Sequence, residues 1–189
     1  MDIGGMLQRT IRAAMLDGDL YEEVEHDNTL DREALTVVII AAILDAVGLV
    51  IARYMSPEGV APVRALLLSA YMIFGGIFVY FLWAGLTYML GVGWFGGSAD
   101  VYQLRRTLGY AQGPRALGLF VFLPVVGIPL NILSLLWSLV AGIVAVRHAL
   151  DVSWSRTLAV VVIGWGVAIM MFMFAGFLLG FQTILLLIL

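Results

Sequence analysis

Asp45 is the acid whose position could carry chemistry, because it stands in the middle of an apolar block running from about Leu30 to Tyr54. An ionisable group at membrane depth is costly enough that it must face protein, water or a countercharge. The functional readings are a proton site or a cation site. Two plainer readings stand beside them and are preferred: a structural ion pair, or a neutral Asp hydrogen-bonded within a bundle. Asn131, Gln182 and Arg115 are the further polar candidates at that depth. His26 and His148 are far apart and without neighbouring ligands, so neither reads as a metal site. Cysteine is absent, no nucleophile stands beside a base, and Gly96-Gly97-Ser98-Ala99 is too loose for a phosphate loop. An enzyme is disfavoured, and no metal or cofactor is expected.

The elements that must position these residues are membrane helices. Of 189 residues, 62% are hydrophobic and 12% charged. Several apolar runs exceed the roughly 20 residues that cross about 30 Å of hydrocarbon. Backbone amides in lipid must be satisfied internally, and continuous apolar blocks without alternation fit helices rather than barrel strands. The expected fold is an all-α membrane protein with five transmembrane helices, at about 30–54, 63–90, 104–126, 129–150 and 157–189. Residues 1–29 form an acidic cytoplasmic tail, and 30–189 the five-span membrane domain. No cleaved signal peptide is expected, so the first span serves as the insertion signal.

Within the tail, Ile3, Met6, Leu7, Ile11, Ala14 and Met15 recur at helical spacing, which reads as an amphipathic helix on the membrane surface. Gly18 should end that helix in a left-handed conformation, with Asp19 and Glu22 capping the next. Thr29 is the expected cap of the first span, and Ser98 that of the segment bearing Arg105 and Arg106. The third span starts either at Arg115, after Pro114, or about ten residues earlier near Arg105. From Pro114 to Pro124 an α-helix would rise only about 15 Å, half a crossing, so the earlier start is preferred. That start carries Arg115 to the depth of Asp45. The two either pair there, or Arg115 snorkels to the headgroups while Asp45 is protonated. Two prolines and a glycine in 124–129 reverse the chain into the fourth span. The last stretch is longer than one straight crossing requires and should tilt, bend near Gly176 or project beyond the bilayer.

Arginine placement sets the orientation. With the N-terminus cytoplasmic, Arg9, Arg12, Arg32, Arg105, Arg106, Arg115, Arg147 and Arg156 lie on the inner side, against Arg53 and Arg64 outside. Five spans then put the C-terminus outside. The acidic tail excludes nucleic acid as a partner. Ser134, Ser138 and Gly142, and likewise Gly176 and Gly180, recur every fourth residue as narrow strips; packing inside the monomer is the preferred reading and a homo-oligomer the other.

Asp19-Leu20-Tyr21 lies in the tail, and Gly109-Tyr110-Ala111-Gln112-Gly113-Pro114 lies at the expected third span. This pair of motifs, in this order and in a five-span layout, resembles the Yip-one family. Eukaryotic members carry Asp-Leu-Tyr-Gly-Pro before the membrane region and Gly-Tyr-x-x-x-Pro at the third span. The second motif matches in full, while the first has Glu22-Glu23 in place of Gly-Pro. The resemblance implies five spans, a cytoplasmic N-terminus, and partner binding through Asp19, Leu20, Tyr21, Gly109, Tyr110 and Pro114. In eukaryotic relatives the partner is a Rab-type small GTPase. The short tail, the altered first motif and the absence of lysine look more like a prokaryotic member, resident in the plasma membrane.

The function expected on these grounds is a non-enzymatic membrane scaffold or adaptor. Arg9, Arg12, Arg105 and Arg106 would face the lipid headgroups of the bilayer, and the cytoplasmic face would bind a protein partner. The rival is a small permease or channel for an ion or small solute, motivated by Asp45, the proline-interrupted hairpin and the glycine-rich spans.

Overall fold

A computed structural model describes the backbone of residues 2–188 and the side chains of residues 2–180. Gln182 therefore lies outside the described side chains. The described residues form seven α-helices: α1 Ile3–Ala14, α2 Gly18–His26, α3 Asp31–Met55, α4 Pro62–Gly93, α5 Val101–Tyr110, α6 Gly127–Leu150 and α7 Trp154–Ile188. A short 3-10 turn, Asn28–Leu30, leads into α3, and a longer 3-10 segment, Gly113–Phe122, follows α5.

Four helices among the described residues are long and apolar enough to cross a membrane: Asn28–Met55, Pro62–Gly93, Gly127–Leu150 and Trp154–Gly180. The stretch 104–126 is not a fifth such helix. It is divided into α5, a turn at Ala111–Gln112, and the 3-10 segment. Pro114 lacks an amide proton, which favours starting a new segment over continuing the old one. Gly109 lies against the backbone of Ala34, and Gly48 lies against the carbonyls of Gly118 and Leu119. The divided stretch thus runs parallel to α3 over fourteen residues of it, about 21 Å. A 3-10 helix rises about 2.0 Å per residue, so its ten residues cover roughly 20 Å where an α-helix would cover about 15 Å.

Four cap expectations are corrected. Asp100, not Ser98, caps α5: its carboxylate accepts from the Gln103 amide at 2.7 Å, and the Gln103 side chain accepts from the Asp100 amide at 2.6 Å. Thr29 lies inside the 3-10 turn, where Asp27 accepts from its amide at 2.9 Å. The left-handed residue after α1 is Leu16 (φ 62), and Gly18 begins α2. Asp17 is the cap of α2, accepting from the Leu20 amide at 3.3 Å. The glycine has a different use: the imidazole of His148 occupies the space a Cβ at Gly18 would need.

The tail and the bundle share one core. Leu20, Tyr21 and Val24 are fully buried against Leu30, Ala34, Tyr110, Ala141 and Ala145. Each such side chain contributes roughly 1.5–3 kcal/mol by leaving water. A second core lies among α4, α5, α6 and α7 around Trp83, Leu104, Leu108 and Leu150. The small-residue strip of α6 is used within the chain. Trp83 fills the space beside Gly142, and the Ser138 hydroxyl donates to the Ala111 carbonyl at 2.9 Å.

Candidate functional site

The first candidate is a polar spot in the middle of the bundle. Asp45 projects from α3 because a period of 3.6 residues places it on the same stripe as Val38, Ala41 and Ala42, which are buried. Arg115 follows Pro114 on the 3-10 segment, and its guanidinium forms an ion pair with the Asp45 carboxylate. The other terminal nitrogen of Arg115 donates to Gln112 Oε1 at 3.4 Å. A Cβ on Gly118 would collide with the Asp45 carboxylate and approach Asn131 Nδ2 to 3.2 Å, so the missing side chain is what lets this ion pair sit against the backbone. Asp45, Arg115, Asn131 and Ser134 then share a cavity of about 340 Å³. Its remaining wall is apolar, with Leu49, Met72, Ile169, Phe172 and Met173 among the lining residues. Sequence reasoning gathered the first three; Ser134 was read only as a packing residue.

The second candidate is the charged end of the bundle, which the tail covers. Glu33 is its centre. Arg9 grips it with two hydrogen bonds, Nε at 2.7 Å and Nη2 at 2.9 Å, and Tyr110 donates its hydroxyl to the same carboxylate at 2.5 Å. Such a bidentate pair is stronger and more directional than a single contact. The bond to Glu33 pushes the Arg9 guanidinium pKa up. Arg106 is 2% exposed and donates to the Val24 and Glu25 carbonyls at 3.1 and 2.5 Å and to Asp31 at 3.0 Å. It latches the C-terminal end of α2, whose last carbonyls have no helical partner. Arg12 bridges Asp17 at 2.7 Å and Glu23 at 2.9 Å, and its hydrogen bond holds the Asp17 carboxyl below the usual carboxylate range. Burial pushes the Glu25 carboxyl up, with the nearby charge of His26 acting against it, while Gln103 donates to it at 3.1 Å.

These positions revise the roles expected of the arginines. Arg106 is inside the protein and does not face headgroups; Arg9 and Arg12 are committed to Glu33, Asp17 and Glu23. Arg105 lies over the rings of Phe81 and Tyr102, at 4.9 and 5.5 Å. Leu20, Tyr21, Gly109, Tyr110 and Pro114 are buried, and Asp19 alone of the six motif residues is exposed. Tyr21 donates to the Ala13 carbonyl at 3.1 Å, which ties α2 to α1. The central part played by Glu33 was missed. The available signal was an acid one helical turn into a span, at the level where Gly109-Tyr110 returns.

On the outer side of α1, Ile3, Leu7, Ile11 and Met15 are exposed at a spacing of four. Leu7, Ile11 and Met15 border a groove of about 480 Å³ whose other wall includes Leu117, Leu133 and Trp137. Trp137 Nε1 donates to the Ala14 carbonyl at 2.7 Å, fixing the end of α1 to α6. Asp19, Glu22, Glu23 and His26 are exposed together along α2. Among the described residues there is no group of three or more His, Cys, Asp or Glu arranged to hold a metal ion.

Comparison with curated proteins and with solved structures finds no match. The model of the Yip1 domain family matches residues 18–177, from the start of α2 into the second half of α7. Both motifs and both candidate sites lie largely within that range, and the chain belongs to the Yip1 domain family.

Proposed function

We propose that this chain is a non-enzymatic scaffold of the plasma membrane in a prokaryotic cell, with its N-terminus cytoplasmic and its C-terminus outside. The third pass, divided as it is, makes the fifth crossing. The observation that carries this reading is the division of labour in the tail. The charged side chains of α1 are spent on the protein, while its apolar stripe is left facing outward. Such a helix holds to a bilayer by apolar area more than by its arginines. The tail is thereby a platform fixed on two sides, to lipid by Ile3, Leu7, Ile11 and Met15 and to the bundle by Arg9 and Trp137. What it offers to the cytoplasm is the acidic side of α2, and a protein partner with a basic patch fits it by charge.

Affinity capture of the full chain from native membranes tests the partner face. Asp19→Arg with Glu22→Arg should abolish capture of a partner that the unaltered chain retains, with thermal stability preserved. Retention of the same partner by the double variant would remove α2 from the reading.

The 340 Å³ cavity favours a second reading, a small permease or channel, because it brings Asp45, Arg115 and Asn131 together at membrane depth. A pathway needs polar lining on both sides of such a point. The rest of the cavity wall named above is hydrocarbon. Ion flux in proteoliposomes should equal that of protein-free vesicles, and flux abolished by Asp45→Ala would reverse the order of the two readings.

A further inference from the structure

The cavity at the ion pair has two kinds of lining. Asp45 and Arg115 neutralise each other, and Asn131 and Ser134 line the wall with them. The Asn131 amide has no hydrogen-bond partner among the described residues. Leaving a primary amide unpaired at membrane depth costs free energy, and its two kinds of polar atom ask for a partner that both donates and accepts. Leu49, Met72, Ile169 and Phe172, which also line it, offer nothing to hydrogen-bond. Water needs two to four polar partners to be held, so it suits the polar lining and not the apolar one. A charged head suits neither. An anion would meet the Asp45 carboxylate, a cation the Arg115 guanidinium, and the pair leaves no net charge to attract either. The volume, about 340 Å³, is in the range of sites that hold small ligands. α3, α4, α6 and α7 all contribute to it from their apolar stretches, so the surrounding bilayer is the natural source of the occupant.

We infer that this cavity binds a neutral lipid with one acyl chain and a hydroxyl- or ester-bearing head, the head on Asn131 beside the Asp45–Arg115 pair and the chain against α4 and α7. The inference is independent of the scaffold reading, since it concerns the interior of the bundle and not the cytoplasmic face.

The test uses the full chain in detergent, titrated with 1-monooleoylglycerol and followed by native mass spectrometry and thermal unfolding. One lipid per chain should bind, and the melting temperature should rise. Asn131→Leu, close to asparagine in size, should weaken binding about fivefold, the loss expected for one hydrogen bond. Leu133→Ala, in the other groove, should leave binding unchanged. Comparison lipids keep the question open to refutation even where Asn131→Leu fails to fold. 1-Octadecene, which has the chain without the head, and 1-oleoyl lysophosphatidate, which has a charged head, should not stabilise the unaltered protein. Equal stabilisation by either, or none by monooleoylglycerol, would overturn the assignment.

Discussion

At the scale of single residues, the bundle is organised by charges that are neutralised inside it, and their energetics are asymmetric. Breaking a buried pair from one side strands a charge, while removing both members does not. Asp45→Ala and Arg115→Ala should each destabilise by about 3 kcal/mol, and the double variant should lose less than either single one. Additive losses in thermal unfolding would show that the two do not depend on each other. Arg106→Leu should cost at least as much, because it leaves the Val24 and Glu25 carbonyls and Asp31 without their donor. Glu25 gives a pH-dependent case. Burial raises its pKa in the fold, so the folded state disfavours the charged form. Stability therefore falls as pH rises through and above the ordinary glutamate range, about 4.3. Glu25→Gln keeps an acceptor for Gln103 and removes that penalty. Solvent screening keeps the gain small, a rise in melting temperature of about 1 °C at pH 7 that disappears below about pH 4. The pairing of Asp45 with Arg115 was legible in the sequence because two lone charges at one depth have few other partners. That of Arg9 with Glu33 was not, since a tail residue and a span residue 24 positions apart meet only once the tail has docked.

At the scale of elements, the third pass shows where periodicity stops being informative. The sequence marked the problem correctly, since ten residues between Pro114 and Pro124 are too few for an α-helical crossing. It could not supply the answer, because choosing 3-10 over α geometry is a tertiary effect. Gly48 and Gly118 let two backbones approach, and the narrower segment fits the gap between α3 and α6. The helix caps failed for a related reason. Ser98, Asp100, Asp17 and Thr29 are all acceptable cap residues, and local propensity does not rank candidates one or two positions apart. Glycine substitutions test the close approach directly. Gly118→Ala should reduce stability by several kcal/mol, since its Cβ has no room beside Asp45. Gly85→Ala on α4, where nothing lies within 4 Å of the new atom, should be neutral or stabilise by about 0.5–1 kcal/mol. Similar losses at both sites in thermal unfolding would mean that the contact between α3 and the 3-10 segment is not specific.

At the scale of the whole molecule, the number of crossings decides the function that each end can have. Among the described residues four helices are long and apolar enough to span on their own, and an even number would return the C-terminus to the side of the N-terminus. Counting the divided stretch as a crossing, as proposed, changes that parity. It starts level with Ala34 near the beginning of α3 and passes Gly48 before the chain turns at Leu123–Val126, so it advances along α3 rather than folding back. The same direction puts Glu58 and Val125 at one end of the bundle and Ser98 and Ser155 at the other. The proposed orientation puts the second end in the cytoplasm. Because the chain has no cysteine, single cysteines placed at these four positions report individually. A membrane-impermeant maleimide applied outside intact cells should label Glu58→Cys and Val125→Cys and should reach Ser98→Cys and Ser155→Cys only after permeabilisation. Val125 is the decisive position. It is 93% exposed at the tip of its turn, so lack of labelling cannot be put down to burial in the protein. Protection of Val125→Cys with labelling of Glu58→Cys would mean that the 3-10 segment enters the bilayer and returns. That outcome would leave four crossings, place both ends of the chain in the cytoplasm, and make α7 available to the same partners as the tail.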